Sequence, residues 1–248
     1  MKQQLLDHIE KNFPNTYDLQ QKYRSHPSYS LLTIDNLVPN ELVKAMAKEL
    51  EEVPLEDCKH FTRAGSCMYE YNNVDKTPVQ DAVIHALHSG KFIKWLQDVT
   101  DTVDLIPDPH LIGAGYCKSL TGDSLKVHSD FNWNEQLRLH RMVSLVIYLN
   151  EDWDQDWGGQ LQFYDKKRET LHSKVPVGAG NAVIWSYDNF AFHGYPEPMT
   201  NPEGTSRKAL RLFYYVSNAE HDSKHPPHRS LYWFDDKEKV AYDKPWNK

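Results

Sequence analysis

His128-Ser129-Asp130, followed by His193 65 residues further on, is the group of side chains in this sequence best suited to hold a redox-active metal. Two imidazoles and one carboxylate cover one face of an octahedron and leave the opposite positions open. That is the ligand set with which non-haem Fe(II) sites bind a cosubstrate and O2 together. The spacing has a structural reason. Residues i and i+2 of a strand project to the same face, so His128 and Asp130 can reach one ion while Ser129 points away. His193 must then arrive on a strand remote in sequence and adjacent in space. In a chain with 13 histidines an H-x-D triplet is weak evidence alone, so its surroundings decide what it means.

The elements that must position these residues change character along the chain. Residues 3–13 and 39–52 carry helical patterns, and in the second Leu42, Val43, Met46, Ala47 and Leu50 form an i, i+3/i+4 stripe behind Pro39-Asn40. Further helical patterns cover 78–88 and 91–101, separated by Ser89-Gly90, and the mixed stretch 53–77 contains a strand around Ser66–Tyr71. From about residue 110, runs rich in β-branched and aromatic residues follow one another: His110–Ser119, Leu125–His128, Arg141–Leu149, Gly159–Tyr164, Ala182–Ser186, Phe192–Tyr195 and Ala209–Val216. Gly, Asp, Asn and Pro bound them, which is the rhythm of a sandwich or barrel. Helices first and short strands afterwards predict a mostly β fold with flanking helices: a double-stranded β-helix (jelly roll) with the N-terminal helices packed on one sheet. A single domain over 1–248 is expected, with 1–104 mainly helical support, 105–218 the jelly-roll core and 219–248 a C-terminal extension aromatic enough to pack.

Composition excludes several classes. The chain has 40% hydrophobic and 25% charged residues, as ordinary globular proteins do. A net charge of -7 argues against a general nucleic-acid binder. No apolar run reaches the ~18 residues of a membrane span, and Met1-Lys2-Gln3-Gln4-Leu5 lacks the apolar core of a secretory signal. Cys58, Cys67 and Cys117 are odd in number and lack C-x-x-C spacing, so neither a disulfide framework nor a structural zinc site is expected and the cytoplasm is the default compartment.

Arg207 opens the run Arg207-Lys208-Ala209-Leu210-Arg211-Leu212-Phe213. Alternation puts Arg207, Ala209, Arg211 and Phe213 on one face. An Arg followed on its own face by a small Ala leaves room for a ligand, and its fork suits a carboxylate. Taken alone, Arg207 reads more readily as a solvated strand end than as a ligand-binding residue. From Gly115 to Ser217 the residues together resemble the prolyl-4-hydroxylase-like branch (bacterial and phage type) of the Fe(II)/2-oxoglutarate-dependent dioxygenases. The blocks that carry the resemblance are His128-Ser-Asp130-Phe131-Asn132; Arg141 with Val146-Ile147-Tyr148-Leu149-Asn150; Gly158-Gly159-Gln-Leu161-Gln-Phe163; His193-Gly194-Tyr195-Pro196; and Ser206-Arg207-Lys208-Ala209-Leu210.

The resemblance implies a hydroxylase that releases succinate and CO2 and needs Fe(II), 2-oxoglutarate and O2, with ascorbate as an optional stimulant. It implies His128, Asp130 and His193 as the metal ligands and Arg207 as the partner of the distal carboxylate of 2-oxoglutarate. Tyr148 would assist at that carboxylate, Tyr116 falls near a second tyrosine of the pocket, and Leu161 would give an apolar wall. Arg141 is the candidate on the substrate side. Because Asp130 is retained, hydroxylation is favoured over halogenation. The substrate would be a small molecule, peptide or protein, a proline-containing one being the leading guess, and no nucleic-acid or membrane partner is expected. The proline-rich insert between His193 and Arg207 and the segment 132–137 depart from the family pattern, and the insert would form part of a substrate entrance. No flanking peptide-binding domain accompanies the core, which argues against collagen-like substrates.

Two other readings remain open on the residues. A metal-dependent hydrolase on a jelly roll can use the same donors around Zn and a bound water, and a non-catalytic module could bind 2-oxoglutarate without turnover. The remaining histidines, such as His85, His88 and His140, read as surface or supporting residues. Trp185 and Phe213 read as walls of the sandwich. The alternating Asp152, Asp154 and Asp156 lack the bidentate Glu of a calcium loop and read as a solvated turn.

Overall fold

The computed structural model describes residues 1–27, 29–187, 191–217, 227–233 and 240–242. Its helices are α1 (Lys2–Asn12), α2 (Thr16–Arg24), α3 (Asn40–Glu52), α4 (Pro78–Leu87) and α5 (Gly90–Thr100). Before the jelly-roll core come β1 (Leu31–Ile34), β2 (Lys59–Arg63) and β3 (Ser66–Tyr71). The core adds β4 (Ile106–Pro107), β5 (Gly115–Ser119), β6 (Leu125–Ser129), β7 (Trp133–Asn134), β8 (Leu139–Tyr148), β9 (Leu161–Tyr164) and β10 (Leu171–Val175). It continues with β11 (Ala182–Ser186), β12 (His193–Tyr195) and β13 (Arg207–Val216), and β14 (Leu231–Trp233) and β15 (Val240–Tyr242) follow.

All described strand pairs are antiparallel, and they form two sheets. The larger runs β1-β11-β8-β13-β5-β3-β2, with β4 beside β13 and β7 beside β8; the smaller runs β10-β9-β12-β6-β14-β15. This is the jelly roll with flanking helices that the order of elements predicts.

Alternation along β13 shows how the sequence divides its two faces. Leu210, Leu212 and Tyr214 join Val43, Met46, Leu50, Leu87 and Phe92 in a core between the large sheet and the helices. Ala209 lies on the other face, in a second core between the sheets with Tyr148, Leu161, Phe163 and Trp185. The helices dock through narrow apolar stripes: on α3, Leu42, Val43, Met46 and Leu50 are buried, Ala47 packs partly against them, and Glu41, Lys44, Lys48, Glu51 and Glu52 are exposed. Burying each such side chain stabilises the fold by about 1.5–3 kcal/mol, so this stripe fixes the helix to the sheet.

One helix start is capped from a distance. Thr77 offers no side-chain cap to α4; instead the Glu49 carboxylate on α3 accepts hydrogen bonds from the Val79 and Gln80 amides at 2.8 and 2.9 Å. Those amides would otherwise be left unsatisfied at the N-terminus. The same carboxylate anchors the sheet, because the Tyr116 hydroxyl on β5 donates to Glu49 Oε2 at 2.8 Å. Among the described residues, no helix is long and apolar enough to cross a membrane. Of the expected C-terminal extension, residues 219–226, 234–239 and 243–248, including His221, His225 and Phe234, lie outside the described residues.

Candidate active site

His128 is the penultimate residue of β6, and Asp130 follows just past the strand end, so both side chains emerge on the inner face of the small sheet. His193 opens β12 and pairs directly with His128 across the ladder. The close approach of these strands requires a glycine next to His193: a Cβ on Gly194 would lie 2.5 Å from the Leu125 carbonyl oxygen. One nitrogen from each imidazole and one Asp130 carboxylate oxygen all lie within 4.8 Å of one another. Asp130 Oδ1 is 3.4 Å from His128 Nε2, and Oδ2 is 3.5 Å from His193 Nε2.

Both imidazoles are fixed by their other nitrogens. His128 Nδ1 is 2.8 Å from the Lys126 carbonyl and His193 Nδ1 is 2.8 Å from the Ala191 carbonyl. A carbonyl can only accept, so each Nδ1 carries the proton and each Nε2 presents its lone pair towards Asp130, which is how metal-ligating histidines are held. Aromatic rings complete the support. His193 packs between Phe163 (5.6 Å, stacked) and Trp185 (5.0 Å, edge-on), and Tyr232 on β14 stacks on His128 at 5.2 Å. Burial pushes the His193 imidazole down to about 4, against the attraction of Asp130, so the ring stays neutral and able to ligate.

Asp130 is fixed by Arg141, whose Nη2 donates to Oδ2 at 2.7 Å. Burial opposes ionisation of Asp130, but the Arg141 guanidinium, and then His193 and His128, hold its carboxyl well below the usual carboxylate range. Arg141 is itself only 1% exposed. Its Nε and Nη2 donate to Ser144 Oγ at 3.2 and 2.7 Å, and its Cζ lies 3.3 Å from the Phe213 ring centre. This residue therefore lines the inner cavity with its Nη2 committed to Asp130 and Ser144, while its buried Nη1 has no hydrogen-bond partner among the described residues.

Beyond the triad, a narrow inner cavity reaches Arg207, Leu161 and Tyr195. Arg207 is buried; its Nε donates to the Gly159 carbonyl at 2.7 Å, and its guanidinium packs on Tyr195 (4.6 Å) and Tyr148 (5.0 Å). Gly159, at φ +79°, could not carry a Cβ, which would fall 2.6 Å from Met199 Sδ and 3.0 Å from Arg207 Cδ. Among the described residues no carboxylate pairs with Arg207, and the buried Tyr148 hydroxyl has no hydrogen-bond partner. A buried cation without a counter-ion beside an unpartnered hydroxyl fits the distal carboxylate of a 2-oxo acid, and two imidazoles with a carboxylate fit Fe(II).

The structure thus brings together His128, Asp130, His193, Arg207, Tyr148, Leu161 and Arg141. It does not bring Tyr116 to them. Cys117 and Tyr116 are neighbours on β5 and must face opposite ways; Cys117 lines the inner cavity, whereas Tyr116 faces the helices and bonds Glu49. Sequence reasoning missed Tyr195, whose hydroxyl bonds Ser119 Oγ at 2.9 Å; its signal was the i+2 relation to His193. It also missed Tyr232, which no local pattern places against His128.

Residues 114–215 match the 2OG-Fe(II) oxygenase superfamily. No curated protein matches the sequence. Among solved structures, a prolyl-4-hydroxylase from Pseudomonas putida aligns with TM-score 0.59 and 17% identity, over 81% of this chain and 100% of its own. A prolyl hydroxylase from Trichoplax adhaerens, in complex with a hypoxia inducible factor peptide fragment, aligns with TM-score 0.61 and 13% identity, over 84% and 92%. HygX from Streptomyces hygroscopicus, with nickel and 2-oxoglutarate bound, aligns with TM-score 0.53 and 12% identity, over 80% and 87%. At such identities these likenesses establish the fold. The superfamily match spans the triad and Arg207, and the geometry of those residues fits the chemistry of an Fe(II)/2-oxoglutarate-dependent dioxygenase. In fold, the chain is similar to these prolyl hydroxylases.

Proposed function

We propose that His128, Asp130 and His193 hold the Fe(II) of this dioxygenase, and that Arg207 and Tyr148 bind the far carboxylate of 2-oxoglutarate against the apolar wall of Leu161. The observation that carries this reading is the tautomer lock: both Nδ1 protons are held by backbone carbonyls, so both Nε2 lone pairs converge beside the Asp130 carboxylate. Bound Fe(II) with 2-oxoglutarate supplies O2 activation and the decarboxylation to succinate and CO2 that drives insertion of one oxygen atom into a substrate C–H bond. The residues of the chain do the rest. Arg141 keeps Asp130 ionised and aimed, Phe163 and Trp185 exclude water around His193, and Arg207 sets how far the cosubstrate reaches from the metal.

The substrate reading is a proline-containing molecule, as the prolyl-4-hydroxylase-like architecture suggests, with nucleic acid outside the expected range. One domain is taken to carry the whole reaction. A cytoplasmic location belongs to the same proposal, supported by three free cysteines.

The test is succinate formation from 2-oxoglutarate by the Fe(II)-loaded protein under air. Asp130→Ala should lower turnover by at least about 100-fold, more than the loss typical of an outer-shell partner, while circular dichroism remains that of the wild type. Wild-type turnover in the variant would remove the triad from the reaction. Oxygen-independent hydrolytic activity would move the reading to a hydrolase.

A further inference from the structure

The proline-rich segment 196–206 is expected from sequence at a substrate entrance, and the structure places it elsewhere. Outside the triad lies a second cavity of about 430 Å³ that shares His128, Asp130, Arg141 and Arg211 with the inner one, and no residue of the segment lines it. The segment packs instead behind Arg207. Its backbone is tied to two turns: the Met199 amide donates to the Asp123 carbonyl at 3.0 Å, the Met199 carbonyl accepts from the Gly122 amide at 2.8 Å, and the Thr200 amide donates to the Trp157 carbonyl at 2.9 Å. Asn201 closes the segment on itself, its Nδ2 donating to the carbonyl and hydroxyl oxygens of Thr205 at 3.0 and 3.1 Å. Held in this way, the segment delivers Met199 to the core between the sheets. Met199 is 1% exposed and joins Tyr148, Leu161, Tyr195 and Ala209 there.

Met199 meets Arg207 at Gly159. The point that a Gly159 Cβ would occupy lies 2.6 Å from Met199 Sδ, 3.0 Å from Arg207 Cδ and 3.5 Å from Arg207 Nε. The sulfur and the arginine stem therefore share the space of the missing side chain. The Gly159 carbonyl also accepts from Arg207 Nε at 2.7 Å, and the rings of Tyr195 and Tyr148 flank the guanidinium. Of these contacts, Met199 alone comes from the segment that departs from the family pattern. It does not line the inner cavity itself, so its influence on a ligand there passes through Arg207.

We infer that Met199 is a positioning residue for Arg207 and, through it, sets the length of the 2-oxo acid that the inner cavity accepts. The inference rests on the reading of Arg207 as the partner of the far carboxylate. A close-packed interior yields little, so a sulfur wedged against the arginine stem keeps the guanidinium at one distance from the triad. The five-carbon dianion 2-oxoglutarate fits that distance. The six-carbon 2-oxoadipate requires Arg207 to withdraw by one methylene, into space that Met199 fills.

The test is calorimetry of 2-oxoglutarate and of 2-oxoadipate binding to the Fe(II)-loaded full chain with O2 excluded. The wild type should bind 2-oxoglutarate at least about tenfold more tightly, the discrimination that one methylene gives in a fitted pocket. In Met199→Ala that ratio should fall towards one, whereas Met199→Leu, which keeps most of the volume, should preserve it. Met199→Val should give an intermediate ratio, and it carries the test if the alanine variant does not fold. A merely structural role would weaken both acids alike and leave the ratio unchanged. A wild type that does not distinguish the acids, a ratio unchanged in the alanine and valine variants, or a ratio lost equally in the leucine variant would overturn the assignment. Arg207→Ala, measured in the same way, separates the two levels of failure. Wild-type 2-oxoglutarate affinity in that variant would remove Arg207 from the cosubstrate site. Weakened affinity there, with the ratio unmoved by Met199 substitutions, would remove only Met199.

Discussion

The inner and outer cavities meet at His128, Asp130, Arg141 and Arg211, yet they are built in different ways. The inner one is made of regular strands. Leu161, His193, Tyr195, Arg207 and Ala209 each project from β9, β12 or β13 with a direction set by the pleat. The outer one takes its walls from the β2–β3 hairpin, from β7, β13 and β14, and from the loops at 112–113, 130–131, 135–136 and 229–230. Strand-built walls fix distances to the metal, which the common chemistry requires. The outer walls draw partly on loops, which can change without disturbing that geometry.

The comparison can be broken first at Arg207. Arg207→Ala should raise the KM for 2-oxoglutarate about 100-fold, since a dianion would lose its buried charged partner, with little change in the stimulation given by a bound substrate. An unchanged KM, read from initial rates of succinate release, would show that the cosubstrate does not use the inner cavity. Next comes Arg141, at the junction. Arg141→Gln removes the cation that orients Asp130, and iron affinity should fall about 10-fold, within the range for outer-shell partners of metal ligands. Competition with a metal-binding dye measures it, and wild-type affinity would mean that Asp130 does not need its partner.

Two smaller effects sharpen the contrast between faces of one sheet. Tyr148→Phe removes a single hydroxyl from the cosubstrate end, so the KM for 2-oxoglutarate should rise about 5-fold, equivalent to about 1 kcal/mol. Tyr116→Phe should leave that KM unchanged and lower thermal stability by about 1–2 kcal/mol, because its hydroxyl bonds the Glu49 carboxylate that caps α4. If Tyr116→Phe altered cosubstrate binding instead, the orientation of β5 would be wrong.

These contrasts follow what the sequence makes legible. Strong apolar stripes placed α1, α3, α4 and α5 within two residues of their ends, and β3 and β11 match the expected runs. The helix α2 escaped notice because Thr16–Arg24 is polar and buries only Tyr23; its readable signal was Asn15, whose side chain accepts from the Asp18 amide. The strand β2 is missed for a similar reason, since Lys59–Arg63 is largely exposed and held mainly by pairing with β3. At the site, the i, i+2 rule found His128 and Asp130 and the inward row from Arg207. It did not decide which face of β5 turns inward, so Tyr116 was expected where Cys117 lies. The stacking of Tyr232 on His128 depends on β14 adding to β6 from about 100 residues away, and contacts that distant have no local signature.

The most direct test of the central claim is a crystal structure of the full chain with Mn(II) in place of Fe(II) and with 2-oxoglutarate, O2 being excluded. Anomalous scattering should place the metal on His128 Nε2, Asp130 and His193 Nε2, with the far carboxylate of 2-oxoglutarate on Arg207 and the Tyr148 hydroxyl. A metal bound elsewhere, or that carboxylate seated on Arg211 in the outer chamber, would contradict the division of the two cavities.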